Sequence, residues 1–585
     1  MDHSETSMKD RTLRDRIGTG QPFVLLLFGL SVFLNLYRFF PSLRDLNLWD
    51  EAVYIQTGKL LAEGQLTSFA RNPLIGVLYA LTYLPFLHSP FWMMQSAMLG
   101  RFILFASLWL SGTLVARQLS GVLRPLVFAG FLFVFPLLNN ILDNPSDALF
   151  AAASGFTFWQ ALRFHQTRDE RSLWLASLFA GLSALARNDG VTLFAILAVI
   201  AALHVKSLKN KWRASAALLL PFALLVGGYI LLYGLVSGDF NLGVKERSFV
   251  AFQQGQVQVY VPDGTCLGSE MKCAVAQAQR IYGTPQENNN SILTAIRRNP
   301  QAFTGRVVHT LRGLPEMIYT AYGKREAYAI LFLAMAGIYE LLRRRNYATL
   351  GLLLGWLSYL GVYFITFFRL GYLQTPYFIV FALGVIGLEA IVNALASRKE
   401  TLIWSALLLG LALVGILRSL NYLYFSMLIL LGGMWLARLW LGTQAEAPDR
   451  PVPAWLILLG ALLLIRGGFN PPDIPRRGEI PEEQAIVLLQ DRLPADSPVA
   501  AGAPGAAWAA RMEYVGLVDP DFAASSAEEL HTQLNLLGVK AIYVDSYLTR
   551  QNPYVWGLIE SGIGEFYERI FPGGEGPVQV LLVKP

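Results

Sequence analysis

Long apolar runs recur along this sequence from Pro22 to Arg466, and no other feature constrains the fold as strongly. A helix needs about 20 such residues to cross a bilayer. Composition bears on the same point: 54% of the 585 residues are hydrophobic and 15% are charged, against about 25% charged in soluble domains. The expected fold class is therefore a polytopic α-helical membrane protein. The net charge of +6 makes no case for nucleic acid, because the basic residues fall between apolar segments, where they act as topology signals. The histidines are scattered. His88, His165 and His204 read as interfacial or packing residues, and no Cys/His cluster has metal-site spacing.

Residues 1–21 are polar and read as a cytoplasmic tail ahead of an uncleaved helix. The first span is expected over 22–40. The segment 73–90 starts at Pro73 and is interrupted at Pro85, and it decides the topology. If it spans, Arg117 and Arg124, then Arg163, Arg168 and Arg171, then Lys206 to Arg213 all fall outside, against the positive-inside rule. If it only dips into the outer interface, all three basic loops become cytoplasmic, and so do Arg343-Arg344-Arg345 and Arg398-Lys399. Spans then follow at 97–116, 125–142, 146–164, 172–187, 190–205, 214–236, 326–342, 347–368, 371–396, 401–417, 421–437 and 453–467, about 13 in all by the length rule. The N-terminus is inside and the C-terminus outside. Asp50, Glu51, Asp143, Asp147 and Asp189 then share the extracytoplasmic side, together with the first outer loop (41–96) and a large loop (237–325). Acids gathered at one face from distant loops suggest a site, although any one of them also fits an ordinary helix end.

The loop 237–325 is too long for a plain connection. From Ser291 to Ile318 it has helical spacing, with Arg297, Arg298, Arg306 and Arg312 interleaved. That pattern fits a basic helix on the membrane surface, or a solvated face packed on the rest of the loop. The two cysteines, Cys266 and Cys273, lie in the same loop and are expected to form a disulfide if it is outside; the alternative is two free thiols. After a turn-rich linker from Asn470, residues 470–585 read as a small α/β domain. Its helices are expected at Glu482–Leu493, Ser525–Leu537 and Tyr554–Ser561, and its strands at 539–544 and 578–583. It carries no phosphate-binding glycine loop, and reads as an accessory or acceptor-facing module.

Several segments, in order, carry a family resemblance. They are Trp49-Asp50-Glu51-Ala52-Val53-Tyr54 with Leu60-Leu61-Ala62-Glu63-Gly64; Arg71-Asn72-Pro73-Leu74; Arg101 at the head of the second span; Asp143-Asn144-Pro145-Ser146-Asp147; Gly181 to Ala186, then Arg187-Asn188-Asp189-Gly190; and Arg369-Leu370-Gly371-Tyr372 through Pro376. As a set, over about residues 22–400, they resemble the GT-C membrane glycosyltransferases, in particular the protein O-mannosyltransferase and lipid A aminoarabinose transferase group. Asn188 stands where that family has proline, and the segment from Arg369 is a loose match.

The resemblance implies transfer of a sugar from a polyprenyl-phosphate donor to a lipid, glycan or protein acceptor, at the outer face of the plasma (inner) membrane of the cell envelope. Transfer needs a base for the acceptor hydroxyl, and the resemblance implies Asp50, which alternatively caps the helix Glu51–Ala62. Glu51 is expected to orient a donor group. Of Asp143 and Asp147, one would position the acceptor or a cation and the other cap the next span. Arg71, Arg187 and Arg369, with Tyr54, are the candidates for the donor phosphate and sugar, and Lys324 and Arg325 lie on the same side. No ligand spacing decides for or against a divalent cation. The competing classes are a transporter or flippase of lipid-linked sugars, which would place charges near midplane and show repeats, and a non-catalytic assembly subunit of the same fold.

Overall fold

The computed structural model describes residues 49–65, 73–120, 141–204 except 143, and 210–444 with short breaks at 239, 243–244, 262–269, 323–326 and 396. It also describes scattered positions between 458 and 465, and 481–585 except 519–523 and 572–577. The chain is an integral membrane protein. Among the described residues, six helices are long and apolar enough to cross a membrane: Trp92–Leu119, Lys211–Val236, Tyr347–Ile365, Tyr377–Ala394, Arg398–Leu417 and Asn421–Leu439. The expected count of about 13 is not reproduced by that measure. Spans 22–40, 125–142 and 453–467 lie wholly or largely outside the described residues. Others form helices that are too short or too polar to qualify on composition.

In chain order the first helices are α1 (Trp49–Ala62), α2 (Pro73–Tyr83), α3 (Trp92–Ser120), α4 (Pro145–Thr167), α5 (Glu170–Ala186) and α6 (Gly190–Leu203). The 11 residues of α2 rise only about 16 Å, half the ~30 Å of a hydrocarbon core. With the 3₁₀ turn Leu84–Phe86 that continues it, the apolar helix is still shorter than a typical span. Helix α7 (Lys211–Val236) contains Pro221 and a π turn at Ala223–Gly227, the local rewinding expected where proline removes a backbone donor.

The 237–325 segment folds as α8 (Lys245–Gln254), a 3₁₀ turn (Gly255–Val259), α9 (Glu270–Tyr282), α10 (Ile292–Arg298) and α11 (Pro300–Ala321). The single basic helix expected over 291–318 is thus two helices, because Asn299 caps the second and Pro300 begins it. Arg306 is not on a membrane-facing side but 2% exposed. Cys273 is buried and disulfide-bonded, while Cys266, the other cysteine, lies outside the described residues.

Next come α12 (Ala327–Arg343), α13 (Tyr347–Ile365), α14 (Leu370–Gln374), α15 (Tyr377–Ala394), α16 (Arg398–Leu417) and α17 (Asn421–Gln444). The expected span 371–396 is broken at Thr375-Pro376, since the ring of Pro376 disfavours helix at the residue before it. Helix α15 is the axis of the bundle: it packs along α12 and against α3, and most of it is buried.

The C-terminal domain opens with α18 (Pro481–Arg492). A five-stranded sheet follows, ordered β2-β1-β3-β5-β4, from β1 (Pro498–Ala501), β2 (Glu513–Gly516), β3 (Ala541–Val544), β4 (Tyr567–Phe571) and β5 (Gln579–Val583). Strand β1 runs parallel to β2 and β3, and β5 antiparallel to β3 and β4. The crossovers that parallel pairing demands are α19 (Gly505–Ala509) and α20 (Ala527–Leu536); α21 (Ser546–Gln551) and α22 (Pro553–Ser561) follow β3. The expected helices and two strands are present, whereas β1, β2 and β4 were not foreseen. This domain shares one core with the membrane part: Ala506, Ala507, Ala509 and Ile486 pack with Ala52, Tyr54, Ile55 and Trp92.

Candidate active site

The sequence pair Asp50-Glu51 falls in the first turn of α1, where the helix dipole favours negative charge. The helix starts at Trp49, so Asp50 lies inside the first turn and not before it. The two acids part company because adjacent helical residues point about 100° apart.

Glu51 points inward and is 1% exposed. Arg101 of α3, itself 3% exposed, donates from Nε to both of its carboxylate oxygens at 3.0 and 3.1 Å and also from Nη2. The Tyr79 hydroxyl of α2 adds a bond of 2.7 Å. Tyr79 is fixed by its neighbours: a Cβ on Gly58 would lie 2.5 Å from its backbone carbon, and one on Gly100 2.7 Å from its ring. Helices α1, α2 and α3 therefore close around one buried, fully bonded ion pair.

Asp50 is half-buried and shares a helix face with Tyr54, four residues on. The buried Tyr54 hydroxyl donates to Ser146 Oγ at 3.1 Å, and Ser146 Oγ donates to Asn144 Oδ1 at 2.9 Å. Asn144 caps α4, so the Asp50 face of α1 is tied to the turn that leads into Asp147.

Asp147, 3% exposed, accepts from Arg187 Nη1. Arg187 ends α5 and reaches Asp189 as well, with Nε at 3.1 Å and Nη2 at 3.0 Å. Its guanidinium lies over the rings of Tyr372 (4.6 Å) and Tyr363 (5.8 Å), which stack at 4.2 Å. Arg369 is exposed, yet close enough for its charge to act on Asp147. Gly371 brings the backbone so near that a Cβ there would be 3.6 Å from Asp147 Oδ2. The Tyr363 hydroxyl is buried and has no hydrogen-bond partner among the described residues.

Of the residues singled out in the sequence, Asp147, Arg187 and Asp189 come together beside the Gly371 backbone, two residues after Arg369. Tyr54 is tied to them through Ser146, Asp50 lies one turn before Tyr54 on α1, and Glu51 is engaged separately by Arg101 and Tyr79. Asp143, Arg71, Lys324 and Arg325 lie outside the described residues. Tyr79, Ser146 and Tyr363 were not anticipated. Ser146 lies inside a quoted motif, but nothing in the sequence around Tyr363 marks it. No three His, Cys, Asp or Glu side chains converge among the described residues, and Asp147 and Asp189 already share a guanidinium.

No family model matches the sequence, and no curated protein does. Among solved structures the chain is similar to ArnT from Cupriavidus metallidurans in the apo state, with 14% identity, 96% of this chain and 98% of that one covered, and a TM-score of 0.53. The same ArnT bound to undecaprenyl phosphate matches with equal identity and coverage and a TM-score of 0.48. The archaeal oligosaccharyltransferase AglB from Archaeoglobus fulgidus, in complex with an inhibitory peptide and a dolichol-phosphate, matches at 12% identity over 90% of this chain and 70% of that one, with a TM-score of 0.42. The likeness to apo ArnT carries the structural argument, and it concerns fold alone. This chain has the GT-C architecture that ArnT, a lipid A aminoarabinose transferase, also has.

Proposed function

We propose that the protein is a glycosyltransferase that moves a sugar from a polyprenyl-phosphate carrier to a lipid, glycan or protein acceptor. The observation that carries this reading is the meeting of Asp147, Arg187 and the Arg369–Tyr372 segment, with α1 tied to them through Tyr54 and Ser146, in a GT-C fold. The carrier belongs to the class of the undecaprenyl phosphate that ArnT binds.

Asp50 is the general base in this reading. It takes the proton of the acceptor hydroxyl as the oxygen attacks the anomeric carbon, and the polyprenyl phosphate leaves with the bonding electron pair. Guanidinium groups suit that leaving phosphate. Arg369 is the exposed one, and Arg187 sits behind it, already engaged by two carboxylates. Asp147 orients Arg187, and Glu51 anchors the first turn of α1. The buried Tyr363 hydroxyl offers a bond to the bound substrate, which would relieve the cost of leaving it unpaired. The charged groups stand at helix ends: Asp147 opens α4 and Arg187 follows α5. A transporter of lipid-linked sugars would be expected to carry them near midplane.

The positive-inside reading supports an extracytoplasmic site in the plasma (inner) membrane, with the N-terminus cytoplasmic and the C-terminal domain outside. The test is to incubate purified protein with a polyprenyl-phosphate sugar and score transfer or donor hydrolysis. Turnover that falls about tenfold or more but stays measurable in Arg369→Ala supports the reading, and a wild-type protein inert towards every such donor ends it. For orientation, a cysteine at position 143 should react with an impermeant thiol reagent in intact cells. Labelling only after the cells are opened would reverse the topology.

A further inference from the structure

The stretch 365–374, between α13 and α15, forms one wall of the candidate site through Arg369, Gly371 and Tyr372. The helix is interrupted here: α13 ends at Ile365, residues 366–369 are not helical, and α14 is a single five-residue turn. Carbonyls freed at such a helix end need partners from elsewhere, and the 237–325 segment supplies them. Arg306 of α11 donates from Nη2 to the Ile365 carbonyl at 2.8 Å and from Nη1 to the Phe252 carbonyl at 2.8 Å. Its guanidinium is 4.5 Å from the Phe252 ring centroid and 5.5 Å from that of Phe303. Gln258 Nε2 donates to the Phe368 carbonyl at 2.8 Å, and Thr310 Oγ1 holds the other end of that amide, donating to Oε1 at 2.6 Å. Gly255 lies so close to this wall that a Cβ would be 2.1 Å from the Thr366 carbonyl oxygen. Beyond Arg369, the Tyr322 hydroxyl donates to the Leu373 carbonyl at 3.0 Å, and Gln374 donates back to Ala321 at 2.6 Å.

We infer that the 237–325 segment is a positioning element for the donor-phosphate group: Arg306, Gln258 and Thr310 clamp the backbone at Ile365 and Phe368 and so set Arg369 and Gly371 against Asp147 and Arg187. The inference rests on the reading of Arg369 given above. It assigns a role to a loop that touches neither Asp50 nor the Asp147–Arg187 pair through any of these bonds. A plain packing role would need the loop buried against the bundle, but not side-chain donors aimed at the two carbonyls that flank the segment leading into Arg369.

The test uses the full-length protein and two readouts. In Gln258→Leu and in Thr310→Val, amide hydrogen exchange over 366–372 should quicken by about three- to tenfold, the range expected for one lost internal hydrogen bond, with the thermal midpoint nearly unchanged. Thr310→Ser keeps the hydroxyl and should exchange like wild type. In the transfer assay, Gln258→Leu should raise KM for the polyprenyl-phosphate sugar more than it lowers kcat, and the effect should vanish in an Arg369→Ala background. Unchanged exchange in both Gln258→Leu and Thr310→Val, or a Gln258→Leu defect that persists in full without Arg369, would overturn the inference. Should the wild-type protein transfer no sugar at all, the functional reading falls, and hydrogen exchange alone still decides whether the clamp exists.

Discussion

Two arginine–carboxylate clusters lie side by side in this molecule and differ in one respect. Around Glu51 the pair is closed: Arg101 and Tyr79 satisfy the carboxylate, and both partners of the ion pair are at most 3% exposed. Around Asp147 the cluster is more open: Arg187 and Asp189 are 17% and 20% exposed, and the exposed Arg369 lies two residues before Gly371, whose backbone approaches the same carboxylate. Three helices crossing at Tyr79 make the first cluster a joint. The second lies among helix ends and loops. In the proposed reading, adjacent residues of one helical turn serve opposite purposes: Glu51 holds α1 down, and Asp50 shares a face with Tyr54, whose hydroxyl reaches Ser146 beside Asp147.

The largest effect should come from emptying the closed cluster. Glu51→Ala leaves the Arg101 charge buried without its partner, which costs about 3–5 kcal/mol. Thermal unfolding in detergent should show a large drop in midpoint, and a near-normal midpoint would mean that the joint is not closed. Asp50→Asn should lower transfer by about 10²- to 10⁴-fold, the usual worth of a positioned base, without moving the midpoint. Arg187→Lys keeps the charge but loses the fork that spans Asp147 and Asp189. It should reduce turnover by about tenfold or more, the scale of one lost charge-assisted bond, while the Glu51 joint stays intact. The smallest effect belongs to the link between the two regions. Tyr54→Phe removes the single bond to Ser146, worth about 1 kcal/mol, and a loss as large as that of Glu51→Ala would show that the two clusters are not separable.

Much of this comparison was readable from the sequence, and the unreadable part has physical causes. The apolar runs gave most of the described helices, because apolar length is what a bilayer selects. Proline at 73 and 85 marked the start of α2 and the turn that ends it. Arg101 was singled out at the head of a span, but its pairing with Glu51 was not, since residues 50 apart in sequence announce no contact. Strand β1 is Pro-Val-Ala-Ala and β2 Glu-Tyr-Val-Gly, both four residues long and poor in the β-branched and aromatic residues that mark strands. Arg306 looked like one more charge on an exposed face. Its burial depends on Phe252 and Ile365, which reach it from segments 54 and 59 residues away.

The division of labour within Asp50-Glu51 is the central claim, and one paired measurement tests it most directly: transfer rate and thermal midpoint for Asp50→Asn and Glu51→Gln, each against wild type, with a polyprenyl-phosphate sugar as donor. The account predicts that Asp50→Asn loses transfer at an unchanged midpoint, and that Glu51→Gln lowers the midpoint. Wild-type transfer by Asp50→Asn, or an unmoved midpoint with abolished transfer in Glu51→Gln, would contradict it.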